Sequence, residues 1–432
     1  MPIVYHEKSK EFHLYNKEVS YLFQIIDNGQ LGQLYYGKRL RDREDFSHLF
    51  ERCSRDMAPY NFEGNCDFSL EHIKQEYPTF GNGDMRYPAY EIERVNGSRI
   101  VEFAYDSHKI YQGKPELSGM PATYVEKPEE AETLEVTLKE PYIHMKMVLI
   151  YTIYEDYPVI TRSVRFENES EDDQVLLNAL SGCVDLPDRD YEMIELAGAW
   201  ARERNVVKRY LEYGLQGIYS MRGASSYQFN PFLVLKRPKA DEFSGEVLGF
   251  SLVYSGNFLA QVEVDNYDVS RVLLGIHPHG FRWTLKQGES FQTPEMVMVY
   301  SDKGLNKMSQ VYHELYRTRL ARGKWRDLER PILINNWEAT YFDFNEEKIL
   351  EIVRTAKQLG IELFVLDDGW FGKRESDNSG LGDWIVNEKK LGCTLKDLSA
   401  RIHALGLKFG IWFEPECVSE DSDLYREHPD WA

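Results

Sequence analysis

Residues 363–368 read Leu-Phe-Val-Leu-Asp-Asp, an apolar run that ends in the adjacent carboxylates Asp367 and Asp368. An ionised carboxylate only accepts hydrogen bonds, and each can take two hydroxyl donors. Two side by side suit the hydroxyls of a polyol. They would also discriminate stereochemistry, because a misplaced hydroxyl leaves a buried charge unpaired. Asp-Asp-Gly is equally a common way to turn the chain at the end of a strand, and the pattern alone leaves both readings open. Trp337 and Trp412 stand at or just before the ends of two similar runs, 332–334 and 409–413. Barrel interiors usually prefer branched aliphatics, whereas an indole offers a flat apolar face to the C–H side of a sugar ring. Two such Trp flanking a carboxylate pair therefore favour a carbohydrate site. Glu414 and Glu416 follow around Pro415, and Asp383 precedes Trp384 in a long loop. Alternation along a strand would point Glu414 and Glu416 the same way. Any two of these carboxyls could form a glycosidase pair.

Other motifs point to less. Residues 80–88, Phe-Gly-Asn-Gly-Asp-Met-Arg-Tyr-Pro, read as a structural turn. His277-Pro278-His279 lacks a third ligand nearby, so no metal site is expected. No P-loop, dinucleotide fingerprint, nucleophile elbow or kinase motif occurs. No cofactor is expected.

The elements that would hold these residues change character along the chain. Up to about residue 300, short apolar or alternating runs are separated by turn residues: 21–26, 142–154, 159–166, 175–180, 247–253, 258–264, 269–276 and 291–300. Many strands at short intervals imply a large sandwich or stacked sheets. From 304 to 320 the apolar residues Leu305, Met308, Val311, Tyr312, Leu315 and Tyr316 take helical spacing, which suggests a connector helix. From 332 on, strands and helices alternate. The strand 332–334 is expected to be buried. A helix follows from about Asn345, with the stripe Ile349, Ile352, Val353, Ala356 and Leu359, and Gly360 stops it. The strand 363–366 should be buried on both faces. A second helix begins at Thr394, with Asp397 three residues on, and a third strand spans 409–413. Such a rhythm predicts a parallel sheet with right-handed crossovers, whose ligands bind at the carboxyl ends of the strands. Three parallel strands cannot close a barrel, so these 432 residues are expected to be part of a longer barrel protein.

Composition bounds the partners. With 51 basic and 71 acidic residues the formal charge is −20, which argues against nucleic acid and anionic membrane surfaces. The five cysteines form no CxxC pair, which suits a reducing compartment. No signal peptide or run of transmembrane length is seen, and a cytoplasmic location is expected.

Taken together, the residues resemble the bacterial α-galactosidases of glycoside hydrolase family 36. The resemblance rests on residues 364–371 (Phe-Val-Leu-Asp-Asp-Gly-Trp-Phe), 382–384 (Gly-Asp-Trp), 405–416 and 423–431, with support from 81–89, 198–203 and 222–226. It implies a multidomain β plus α/β protein. An N-terminal β-supersandwich domain would span 1–303 and a connector helix 304–330. An incomplete (β/α)8 catalytic barrel (TIM barrel), its first three βα units, would span 331–432. It also implies retaining hydrolysis of terminal α-1,6-linked galactose from melibiose and raffinose-type oligosaccharides, without a metal or cofactor. Homo-oligomers, often tetramers, are implied for the full-length protein. Asp367 and Asp368 would hold the galactose hydroxyls, while Trp337 and Trp412 would wall the pocket. The family nucleophile, in a Lys-x-Asp motif, and the acid/base Asp are expected beyond Ala432. The chain alone is therefore expected to be inactive. An α-N-acetylgalactosaminidase, a raffinose-type galactosyltransferase and a non-catalytic galactose-binding protein are the alternative readings.

Overall fold

Period-two alternation builds the first part of the chain. In Met145–Tyr154 the side chains of Met147, Leu149, Tyr151 and Ile153 enter one large core, as residues on one face of a strand must. This strand pairs antiparallel with Ala131–Glu140 and with Val159–Asn168 in a ten-stranded sheet. A six-stranded sheet containing Gln174–Leu186, Phe258–Val264 and Ser270–Ile276 adds Ala260, Val262, Val272 and Leu274 to the same core. A four-stranded sheet running from Ile3–His6 to Leu31–Lys38 contributes Phe12, Leu14, Tyr21 and Phe23. These stacked antiparallel sheets are the expected sandwich. The structure, a computed structural model, describes residues 3–432. It divides into two compact units, Met1–Arg322 and Gly323–Ala432.

Two strands depart from their expected limits. The run 142–154 begins pairing only at Met145, because the preceding residues form the hairpin turn. The run 291–300 is split into Ser290–Gln292 and Glu295–Ser301, both paired with Val159–Asn168. Pro294 has no N–H to give a ladder, and the Thr293 hydroxyl accepts from the Val164 N–H at 2.9 Å across the break. The helix Gly304–Arg319 lies within the first unit. Met308, Val311, Tyr312 and Leu315 are buried, and the Tyr312 hydroxyl donates to the Val297 carbonyl at 2.9 Å. Gly249 makes room for it, since a Cβ there would sit 2.7 Å from the Tyr312 ring and 3.0 Å from Met308 Sδ.

The glycine-rich loop at 80–88 is anchored by charge. Asp84 and Arg86 are buried together, with Arg86 Nε 2.8 Å from Asp84 Oδ1. Arg271, fully buried, reaches Asp84 at 2.8 Å and Asp185 at 2.9 Å. Arg86 also meets Asp265 at 3.2 Å. Three carboxylates and two guanidinium groups thus satisfy one another inside the sandwich, as buried charges require.

In the second unit, Leu333–Asn335, Leu363–Leu366 and Lys408–Ile411 form a parallel sheet in that order. Asn345 caps the helix Glu346–Gln358 by accepting from the Lys348 N–H, and Thr394 caps Leu395–Ala404 by accepting from the Asp397 N–H. Ile349, Val353, Ala356, Leu398 and Ile402 pack with Phe364 and Leu366 in one core. Leu359, expected in the stripe, is 77 % exposed because it lies beyond the last helical turn, with Gly360 at φ +84 behind it.

The strands are covered on one face only, which corrects the expectation of burial on both. Phe364 and Leu366 face the helices and are fully buried, while Leu363 and Val365 are half-buried on the opposite face. Leu333, in the strand expected to be buried, is 52 % exposed. The helices that cross over lie on one side, and nothing among the residues of this unit lies across the other.

Candidate functional site

The strand register brings Asp367 and Trp412 side by side. Leu366 pairs with Ile411 at the last rung, so Asp367 and Trp412 are the next residues on adjacent strands. The Trp412 N–H donates to the Leu366 carbonyl at 2.9 Å and extends the ladder by one bond. Asn335 closes the first strand, Asn336 follows, and Trp337 opens the short helix Trp337–Thr340 rather than ending the strand itself. Its ring stands edge-on to Tyr341 and Phe342, at 5.3 and 5.1 Å. Trp412 belongs to a separate aromatic group with Phe371 and Trp384, and its carbonyl accepts from Trp370 Nε1 at 3.0 Å.

The two aspartates have different surroundings. The strand ends at Leu366, so the surroundings of each carboxylate are set by its own partners rather than by alternation. Asp367 is half-buried. Asn335 Nδ2 donates to its Oδ2 at 2.5 Å, the Asp368 N–H donates to its Oδ1 at 2.8 Å, and its own N–H donates to Asn336 Oδ1 at 3.0 Å. Burial holds its carboxyl above the usual range, and the charges of Asp368 and Glu338 push the same way against the Asp368 N–H. Asp368 is 6 % exposed. Arg374 grips it through Nε at 3.0 and 3.2 Å and Nη2 at 2.8 Å. The remaining Arg374 amino group donates to the carbonyls of Asp377 and Ser379. One guanidinium therefore orients the carboxylate and pins the loop that follows. Asn335 and Asn336 could be seen at the strand tip in the sequence, but Arg374 could not.

The other candidate carboxylates do different work. Asp383 accepts from the N–H groups of Asp423 and Leu424, both at 2.9 Å, and so caps the helix Asp423–Glu427 together with Ser422. A carboxylate there suits the positive end of a helix. Glu414 and Glu416 lie in a turn past the end of Lys408–Ile411, so strand alternation does not align them as expected, and Glu416 is exposed. No group of three His, Cys, Asp or Glu among the described residues could hold a metal ion. Asp367, half-buried, keeps acceptor capacity on its carboxylate oxygens. With Asp368 held by Arg374, the strand tip can accept hydroxyl donors.

The comparisons with known proteins agree with this architecture. Residues 29–286 match the family model for the Glycosyl hydrolase family 36 N-terminal domain, and residues 290–432 match the Melibiase model. The α-galactosidase AgaA of Geobacillus stearothermophilus is 56 % identical over 432 residues, which cover 100 % of this chain and 59 % of AgaA. The crystal structure of α-galactosidase AgaB from the same organism superposes with a TM-score of 0.95 at 55 % identity, covering 100 % of this chain and 59 % of that one. A doubly substituted AgaA solved in complex with raffinose gives a TM-score of 0.94 at 56 % identity, covering 98 % and 59 %. The chain thus spans about 59 % of the length of such relatives. The three parallel strands with their helices are the opening units of a TIM barrel. By the match across its β-rich region, supported by the barrel units that follow, the chain belongs to glycosyl hydrolase family 36.

Proposed function

We propose that this chain carries the β-rich domain and the sugar-recognising part of a retaining α-galactosidase. Its substrates are raffinose-type oligosaccharides with terminal α-1,6-linked galactose. The observation that supports this reading most is the strand-tip group. Asp367 and Asp368 end the central parallel strand, and Trp337 and Trp412 follow the strands on either side. In this reading Asp367 accepts from galactose hydroxyls, Asp368 joins it while held by Arg374, and the indoles pack against the ring. The raffinose complex of AgaA, a relative of high identity, supports the substrate class. Retaining hydrolysis needs a second carboxyl roughly 5–5.5 Å from the first. As the family resemblance implies, the reacting pair is assigned to other residues of the whole protein; Asp368 and Asp383 are taken up by Arg374 and by a helix end. The five cysteines are all free, which supports a reducing, cytoplasmic setting. Met57, Tyr60 and Phe62, exposed along one segment, support a homo-oligomer of the whole protein.

The test is hydrolysis of an aryl α-galactoside by these 432 residues and by the full-length protein, each with and without Asp368→Ala. Turnover is expected only in the full-length protein and should disappear in the variant. Turnover by the 432 residues that Asp368→Ala abolishes would overturn the assignment of the reacting pair. Full activity in the full-length variant would overturn the role of Asp368.

A further inference from the structure

In the first unit, away from the parallel strands, a cavity of about 210 Å³ is lined by Glu51, Arg55, His72, Lys74, Pro187 and Tyr267, among others. His72 is only 5 % exposed, and neither of its ring nitrogens meets a hydrogen-bond partner among the described residues. Buried polar atoms without partners are rare in folded proteins and call for an explanation. Arg55 shows the same feature, since its Nε is also buried and unpartnered. Both side chains lean on one ring: His72 is edge-on to Tyr267 at 5.7 Å, and the Arg55 guanidinium lies 4.6 Å from its centroid. Lys74 adds a second cation, with Nζ 3.3 Å from the Leu34 carbonyl. Glu51 is the one carboxylate in the lining, and it takes an Arg55 amino group at 2.8 Å. Two cations and one carboxylate leave the lining positive.

The buried ion cluster fixes these walls. Arg86 Nη2 donates to the carbonyls of Leu70 and Ile73, at 3.0 and 2.7 Å, on either side of His72. Asp185, two residues before Pro187, accepts from the Gln75 N–H at 2.8 Å. Asp265 pairs with Arg86 and accepts from the N–H groups of Tyr267 and Val269 at 2.8 and 2.9 Å. A pocket braced on three sides is preorganised, so a ligand loses little by ordering it.

We propose that this cavity is a binding site for a small oxyanion, of the size and charge of phosphate or sulfate, received by His72, Arg55 and Lys74. Such an ion accepts from the Arg55 Nε–H and from one His72 ring N–H, and it offsets the positive lining. The site is independent of the sugar reading and lies wholly within the first unit.

Sulfate is the probe, because its charge does not change across the working pH range. It would be titrated calorimetrically into the 432-residue protein at pH 6, with ionic strength held constant by chloride. Saturable binding at one site is expected, with the His72 ring resonances shifting along the same curve. Arg55→Gln and His72→Gln should each weaken binding roughly tenfold or more, the loss expected for a charge-assisted hydrogen bond. Arg55, with a side chain 29 % exposed, is the safer variant for folding and carries the test if His72→Gln misfolds. Absence of saturation, or affinity unchanged in Arg55→Gln, would overturn the proposal.

Discussion

Arg374→Met should strip Asp368 of the guanidinium that ion-pairs with it. The side chains of the pair are 6 and 8 % exposed, so the carboxylate would stay buried without its ion-pair partner. Removing one member of a buried pair costs about 3–5 kcal/mol. The upper half is expected here, because the same guanidinium also holds the carbonyls of Asp377 and Ser379. Asp368→Asn should cost less, since Arg374 keeps those two carbonyls. The double variant should be more stable than the sum of the singles, with a coupling of about 2 kcal/mol. Urea melts followed by tryptophan fluorescence suit the measurement, because Trp325, Trp337, Trp370, Trp384, Trp412 and Trp431 all lie in residues 323–432. Trp370 packs two residues from Asp368 in the same core. A coupling below about 0.5 kcal/mol, the range of exposed pairs, would refute the view that this carboxylate is held by a desolvated ion pair.

Two further outcomes follow from the geometry. Because Asp367 has a raised pKa, the folded state holds its proton more tightly than the unfolded one, and stability should fall as pH rises from the ordinary Asp value through the raised one. Asp367→Asn should flatten that slope in urea melts between pH 4 and 7, and an unchanged slope would show that Asp367 is not its source. Gly249→Ala would force a methyl against the Tyr312 ring, which its hydroxyl bond to Val297 keeps from swinging away. A loss of about 1–3 kcal/mol is expected from overpacking, visible in a thermal melt, and a melt like that of the parent would show that the helix shifts freely.

Local chemistry was the most legible part of the sequence. The strands at 247–253 and 258–264 lie where the apolar runs put them. The helices beginning after Asn345 and Thr394 start at those caps. The strand-tip position of Asp367 and Trp412 was also readable, because an apolar run ending in polar residues carries its own boundary. What depended on distant partners was not readable. Asp383 looked like one more loop carboxylate until the helix Asp423–Glu427, about 40 residues on, met its oxygens. Arg374 sits among Lys373 and Glu375 in a loop without periodicity, and nothing local marks it as the partner of Asp368. Burial of the parallel strands was overestimated because an apolar run does not say how many faces are covered. Glu414 and Glu416 were misaligned because the strand ended before reaching them.

The ion cluster behind the glycine-rich loop also constrains how the chain can mature. Arg271 and Asp84 are 187 residues apart. At synthesis rates of about 5–20 residues per second, the carboxylate emerges roughly ten to forty seconds before its guanidinium. During that interval Asp84, Arg86 and Asp185 can come together, but the cluster lacks its second guanidinium. Closing the sandwich early would bury an excess of negative charge, so the cluster is expected to close only after the strand Ser270–Ile276 has been made. The spacing of two residues thus sets a lower bound on the time before this part of the sandwich can close.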